Sequence, residues 1–394
     1  MKTGSSLRDL ATEIERQDAL KFDAVVHGAA LATLVDFPAD QNQPPEVRLQ
    51  LPKTGVERVD SQSNGLSIRP VMHGQLADKL GIPKKYYDRM QAEAPALLSE
   101  NINCWLGCAK DTKGKPSRYM VRTMDTSARA LLSPSYNRLD NAELAKAALP
   151  AIYEAGAQVE SCELTERRMY VKCVVPNITE VIWPDNTLEE DKVLGKGHRH
   201  VDIVRPGISI GTSEVGFGKL YAMPAVHTEG CSNLAVMSQD KMAKVHLGRS
   251  QGSEDLVLSE VFSDDTKRAQ DAVLFREIAD LTKAALSGEF FLRYVDQLRE
   301  ARGLKIGTVD LAAVIDVTGE KFALADSEKD SVLTHLINGG DLSAYGLSAA
   351  ITRASQDVDD YDRASDLERV GGEVIELDPK QWAIIGMTGL AAAA

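Results

Sequence analysis

The chain has 394 residues, 43% hydrophobic and 26% charged, and a formal net charge of −13. That length and composition suit an ordinary globular protein of two or three domains, and the acidic balance argues against a bulk polyanion binder. Five cysteines form no even disulfide framework and fit a reducing cytosol, and neither a ~20-residue apolar span nor a signal-peptide pattern is found, so a cytoplasmic location without membrane contact is expected.

Residues 1–70 read as loops and short strands, because Pro38, Pro44, Pro45 and Pro52 cluster among polar residues. From residue 71 to 107 the pattern is helical: a helix over Gln75–Leu80 stops at Gly81, and Pro83 and Pro95 each suit the first turn of a further helix. Residues 117–133 read as a strand or hairpin. Leu144, Ala147, Leu149 and Ile152 then share one face of a helix over Leu139–Ala155. Met169, Val171, Cys173 and Val175 alternate as a strand, and glycines at 207, 211, 216 and 218 punctuate further strands over 203–237. Beyond 250 the character turns helical. Ser263–Asp265 can cap a helix whose stripe is Leu274, Ile278, Leu281 and Ala285; Ser327 and Asp330 resemble a capping box, with a stop at Gly339–Gly340; and Leu342 to about Asp357 is another helix. The expected fold is α+β: a central antiparallel sheet with packed helices and a mostly helical C-terminal part. The division is 1–100 (mixed and helical), 101–250 (α+β core) and 251–394 (helical, with an acidic surface).

Charge is unevenly spread. Residues 309–394 carry six basic and sixteen acidic side chains, whereas 101–138 carry seven basic and two acidic, and 192–249 eight basic and four acidic. Phosphate contact needs cations and base stacking needs rings, so the candidate nucleic-acid contacts are Lys110, Lys113, Lys115, Arg118, Tyr119, Arg122, Arg129, Tyr136, Arg138, Lys196, Arg199, Arg205 and Lys219, with Phe217 a further ring. Enzyme signatures nearly form and then break. Gly211-x₄-Gly216 has phosphate-loop spacing but Phe217 in place of the lysine, Gly211–Val215 lacks the closing glycine of a nucleophile elbow, and Tyr221 stands where a dinucleotide fingerprint wants glycine. His198, His200, His227, Cys231 and His246 are the densest set of possible ligands, yet their spacing is no strong zinc pattern, so neither metal nor cofactor is expected. Cys104 and Cys108 are read as packing residues, and Trp105, Trp183 and Trp382 as core or interface residues.

Four blocks resemble a phage/plasmid-like protein family of unknown function. They are Leu76-x₃-Leu80-Gly81-Ile82-Pro83-x₂-Tyr86 with Asn101-x-Asn103-x-Trp105; Val121-Arg122-Thr123 with Arg129 through Asn141; Arg205-Pro206-Gly207 with Ser213, Glu214, Gly216, Gly218, Cys231, Asn233 and His246-Leu247-Gly248; and Ala349-Ala350-Ile351-Thr352. Thr212, Ser232 and Leu234 depart from the family's usual residues. The resemblance implies a mobile-element origin and supplies no activity. The expectation built on it is a protein of phage or plasmid DNA metabolism that binds single-stranded DNA and anneals it as a homo-oligomer, with no catalytic residue assigned. The alternatives are a non-catalytic interaction or anti-defence protein, or an enzyme using Cys231 and His246.

Overall fold

Proline and glycine set the first helices where the sequence places them. In the computed structural model, which describes residues 1–38, 40, 42–52, 65–111, 114–136, 139–182, 203–229, 233–239, 242–244, 264–307, 310–386 and 388, a first helix α1 (Leu7–Leu20) precedes the strands. Helix α2 (Pro70–Lys79) starts on a proline that has no N–H to leave unbonded, and it stops before Gly81, whose φ of +67° suits glycine. α3 (Lys84–Glu93) follows Pro83, and α4 (Pro95–Cys108) again begins on proline.

These three helices cover one face of a six-stranded sheet. Its strands are β1 (Lys21–His27), β2 (Ala32–Asp36), β3 (Glu46–Gln50), β4 (Leu66–Ile68), β5 (Arg118–Met124) and β6 (Ser127–Leu132), in the order β1-β5-β6-β4-β3-β2. Every pairing is antiparallel except β4 with β6. Leu49, Val121 and Leu131 face Met72, Leu76, Leu98, Ile102 and Leu106 from the helices. At the outer edge, the Asn103 side chain of α4 accepts from Thr33 N at 2.6 Å and donates to Thr33 O at 2.9 Å. One amide thus occupies the Thr33 pair of the open hydrogen-bonding groups that an edge strand offers to a foreign strand.

The second sheet runs β12-β11-β10-β8-β7, with β9 on β10 and β13 on β11. Its strands are β7 (Gln158–Leu164), β8 (Met169–Val174), β9 (Glu180–Val181), β10 (Ile203–Thr212), β11 (Leu220–Thr228), β12 (Asn233–Val236) and β13 (Met242–Lys244). Period-two alternation divides its residues between two helical layers. Val171, Cys173, Ile208 and Ile210 pack on α5 (Asn141–Glu154) and α6 (Asp264–Ala285), through the expected stripe of Leu274, Ile278 and Ala285. The opposite face receives α10 (Ala344–Ala354) and α11 (Tyr361–Ile375), which join α7 (Gly288–Gly303), α8 (Leu311–Phe322), α9 (Asp326–Gly339) and α12 (Pro379–Gly386) in the C-terminal core. A Cβ on Gly372 would lie 1.9 Å from Val236 O, so α11 approaches β12 as closely as only glycine permits.

The fold is α+β, as the sequence implies, with two differences. The first seventy residues do supply short strands, but these four belong to a sheet of their own, completed by β5 and β6, rather than to one central sheet, and the helix α1 precedes them. The capping interaction also falls two residues early: α9 begins at Asp326, and Glu328 accepts from Ala325 N at 2.8 Å. No described helix is long and apolar enough to cross a membrane.

Two buried titratable groups make the fold testable. Lys172 on β8 is fully buried, with Nζ 2.7 Å from Glu368 Oε2 of α11, donating to Ser365 Oγ at 3.0 Å and 4.4 Å from the Tyr361 ring centroid. Burial depresses the Lys172 pKa, and Glu368 opposes that shift. Lys172→Met leaves a buried carboxylate without its cation. It is expected to lower the unfolding free energy by about 3–5 kcal/mol in urea titrations, with Lys172→Met/Glu368→Leu recovering much of the loss. His73 is 6% exposed, and its Nδ1 lies 2.7 Å from the Tyr87 hydroxyl. Burial, aided by Lys84, pushes its pKa down to about 4. The unfolded chain binds a proton near pH 6.5 that the folded chain refuses, so this contribution is complete above pH 6.5 and falls away toward pH 4. His73→Asn is expected to lose about 2 kcal/mol less than the parent chain between pH 7 and pH 5 in the same titration.

Candidate nucleic-acid interface

The turn between β10 and β11 crosses from the second sheet to the open face of the first, and a charged network receives it. Arg122 on β5 is 2% exposed. Its Nε donates to Asp23 Oδ1 on β1 at 2.9 Å, its Nη2 to Asp140 Oδ1 at 2.7 Å and its Nη1 to Glu214 O at 2.9 Å. The Glu214 carboxylate accepts from Arg129 Nη1 of β6 at 3.0 Å and from Asn141 N, the first residue of α5, at 2.9 Å, with Lys21 Nζ 3.7 Å away. Lys21 Nζ also lies 2.8 Å from Asp140 Oδ2. Lys21, Arg122 and Arg129 therefore balance Asp23, Asp140 and Glu214 in charge.

Neutral bonds complete the junction. Tyr136 OH donates to Ser213 O at 2.7 Å, and Gln75 donates to Val215 O while accepting from Leu131 N, both at 2.7 Å. Below them Val215 packs with Val71, Met120, Ala130, Leu132 and Tyr136. Burial opposes both charges, yet Asp140, Asp23 and Glu214 hold the Arg122 pKa above its ordinary value, and Arg122 with Lys21 holds that of Asp140 below its own. The arrangement fixes two sheets and a helix N-terminus relative to one another.

This junction absorbs several residues that the sequence reading turns outward. Arg122, Arg129 and Tyr136 belong to it, and the Tyr119 ring lies on the helix-covered face of β5, buried with Val121 and Leu131. Arg122, Tyr119 and Tyr136 are corrected from solvent-facing contacts to interior groups, and Arg129 is half-buried with its guanidinium paired to Glu214. The alternation of β5 puts Tyr119 inward, and a turn ninety residues downstream covers Arg122. Arg205 is half-buried and paired with Glu229 at 2.9 Å. Ser213 and Glu214 are buried; Gly216 takes a φ of +84° at the exposed end of the turn; and Gly218 sits beside Arg168. Asn233 donates to Ala349 O at 3.1 Å and accepts from Gln356 Nε2 at 3.2 Å, joining β12 to α10. Lys113, Arg138, Lys196, Arg199, Cys231 and His246 lie outside the described residues, as do His198, His200 and Trp183. Among the described residues no three His, Cys, Asp or Glu side chains gather as a metal set.

Four of the expected cations do reach solvent: Lys110, Lys115, Arg118 and Lys219. The first three share one turn. Ser117 N donates to Ala109 O, Asp111 N donates to Lys115 O, and Lys110 bridges Pro116, so 109–111 pairs back on 115–117 at the end of α4. Trp105, read as a core or interface residue, is 50% exposed there, and Cys104 and Cys108, read as packing residues, are exposed beside it. Gly28 holds the pieces together: its N–H donates to Ser117 O at 2.9 Å, and a Cβ would meet Leu106 O at 2.8 Å. The last turn of α4 and the start of β5 thus press on one glycine. Among the described residues no carboxylate pairs with Lys110, Lys115 or Arg118; Asp111 instead accepts from Lys115 N. Arg167, which the sequence reading did not select, stacks over Phe217 at 5.3 Å. Only its place in the β7–β8 turn marks it out.

No protein-family model, curated protein or solved structure matches this chain.

Glu214→Ala removes the carboxylate shared by Arg129, Asn141 N and Lys21, and leaves buried cationic and N–H groups without their acceptor. A loss of about 3–5 kcal/mol in urea unfolding is expected. An unchanged midpoint would show that the network is not what secures the turn.

Proposed function

We propose that this protein binds single-stranded DNA, in the DNA metabolism of a phage or plasmid, through the turn carrying Lys110, Lys115 and Arg118. The observation that carries the reading is the exposure of those three cations, without carboxylate partners among the described residues, just after the last turn of α4, which carries the half-exposed Trp105. Cations neutralise phosphates and release counterions, and a ring offers a stacking surface that any unpaired base can use. The net charge of −13 does not forbid this, because exposed charges act over only about 10 Å at 0.1 M salt. Copies assembled in a homo-oligomer would repeat the contact along one strand, which is the arrangement annealing requires.

The test is fluorescence anisotropy with a labelled single strand across a salt series, with a duplex of equal length as control. The parent chain is expected to prefer the single strand and to weaken steeply as salt rises. Replacing Lys110, Lys115 and Arg118 together by alanine is expected to weaken binding about 10- to 100-fold at low salt and to flatten the log–log salt slope by about 2, at ~0.7 per lost phosphate contact. Unchanged affinity in the triple variant would remove this turn from the interface. No binding by the parent chain at low salt would remove DNA as its ligand.

A further inference from the structure

A second exposed ring lies on the other side of the first sheet from α4, on the face that the β10–β11 turn covers. Phe217, at the tip of the β10–β11 turn, is 37% exposed. Its backbone is held from two directions. Ser213 Oγ accepts from Phe217 N at 2.9 Å and from Val215 N at 3.3 Å, and donates to Arg167 O at 2.6 Å. Arg168 Nε, from the same β7–β8 turn, donates to Phe217 O at 2.7 Å. The Arg167 guanidinium lies 5.3 Å from the ring centroid. Two turns distant in sequence are thereby locked together, and the ring is fixed before any ligand arrives. Such fixing lowers the entropic cost of binding.

Charge collects around the ring. Lys219 is exposed, and Arg69 lies 3.8 Å from Glu166 of the β7–β8 turn. Glu166 offsets Arg69, and Asp366 at 3.6 Å offsets Arg168. Among the described residues no carboxylate pairs with Arg167 or Lys219.

The position of the tip follows from strand register. A Cβ on Gly216 would lie 2.8 Å from Leu132 Cδ2; Leu132 pairs with Met120, and Arg118 is two residues before Met120 on the same face. One strand spacing and two residues of rise put the Arg118 backbone about 8 Å from Leu132, the residue under the tip. The basic turn and the Phe217 tip therefore border one end of one sheet face, within the span of a short single strand.

We infer that Phe217, backed by Arg167 and flanked by Lys219, is a base-stacking platform on which one unpaired base of a bound strand stacks. This rests on the single-stranded-DNA reading and deepens it. The Lys110–Arg118 turn takes the backbone, and the Phe217 tip requires a base free of its partner. The tip then adds to the preference for single strands over duplex, because its contact requires an unpaired base.

The experiment compares two fluorescent single strands of equal length, one with bases and one wholly abasic, so that both carry the same phosphates. The proteins are the full chain, Phe217→Ala, Phe217→Trp and the triple alanine variant of the basic turn. Phe217→Ala is expected to lose about five- to hundredfold in affinity for the strand with bases, the range of one base–ring stack, and little for the abasic strand. Phe217→Trp is expected to restore binding, and the basic-turn variant to weaken both strands alike. Equal affinity of Phe217→Ala and the parent chain for the strand with bases overturns the platform and leaves the basic turn standing. An equal loss on both strands also overturns it, since stacking requires a base. Failure of the parent chain to bind either strand overturns the DNA reading itself, and the platform with it.

Discussion

Arg122 is a guanidinium placed where water does not follow, and three backbone segments meet because it is there. Its nitrogens bond Asp23 on β1, Asp140 before α5 and the Glu214 carbonyl of the β10–β11 turn. A buried cation is tolerated only when its fork of donors is satisfied. Each of those acceptors must therefore arrive at a set place, and a shift of the turn by one residue would leave a charge unanswered. Replacing such a network by apolar residues of equal volume is often no loss in stability. What the ionic version adds is geometric exactness: the turn can seat in one way, and its exposed end, Gly216 to Lys219, projects at a defined point beside the first sheet.

Lys172 and Glu368 play the corresponding part on the second sheet, fixing α11 against β8 with the Tyr361 ring over the ammonium. Both faces of the molecule are thus keyed by charge inside an otherwise apolar interior. The apolar clusters supply most of the drive to fold, since they bury aliphatic and aromatic surface at about 25 cal/mol per Å², but such burial is not directional. Directional bonds decide which of several compact dockings is populated. The outward-facing groups of the candidate interface are the dependents of that choice, because neither the Lys110–Arg118 turn nor the Phe217 tip has a large core of its own.

Local signals in the sequence identify the helices. Pro70, Gly81 and Pro95 punctuate α2 to α4, and the stripe of Leu274, Ile278 and Ala285 finds its sheet. Alternation identifies β8, because Met169, Val171 and Cys173 all face one core. The first sheet is harder to read: β1 is only half-buried, and β4 is three residues long, so neither shows a sustained period. The interface is harder still. Arg118 and Arg122 share a strand and a face, yet one is exposed and the other buried. The difference is made by Glu214 and Val215, some ninety residues later. No window around Arg122 contains that information.

The same non-local packing changes what local charge means. Residues 101–138 look strongly basic along the chain, but Arg122 and Arg129 are neutralised inside the fold by Asp23, Asp140 and Glu214, all three of which lie outside that stretch. Among its described residues, the charge presented outward comes from Lys110, Lys115 and Arg118, set against Asp111 and Asp125. A count along the sequence overstates the field a ligand would meet, and a broad basic groove does not follow from it. A small set of cations gives weak long-range attraction and steep local discrimination, since screening confines each to its neighbourhood. On an acidic protein that combination disfavours indiscriminate binding to duplex and leaves affinity to whatever adds stacking to phosphate contact. The two exposed rings, Trp105 beside the turn and Phe217 at the tip, are where such stacking can occur.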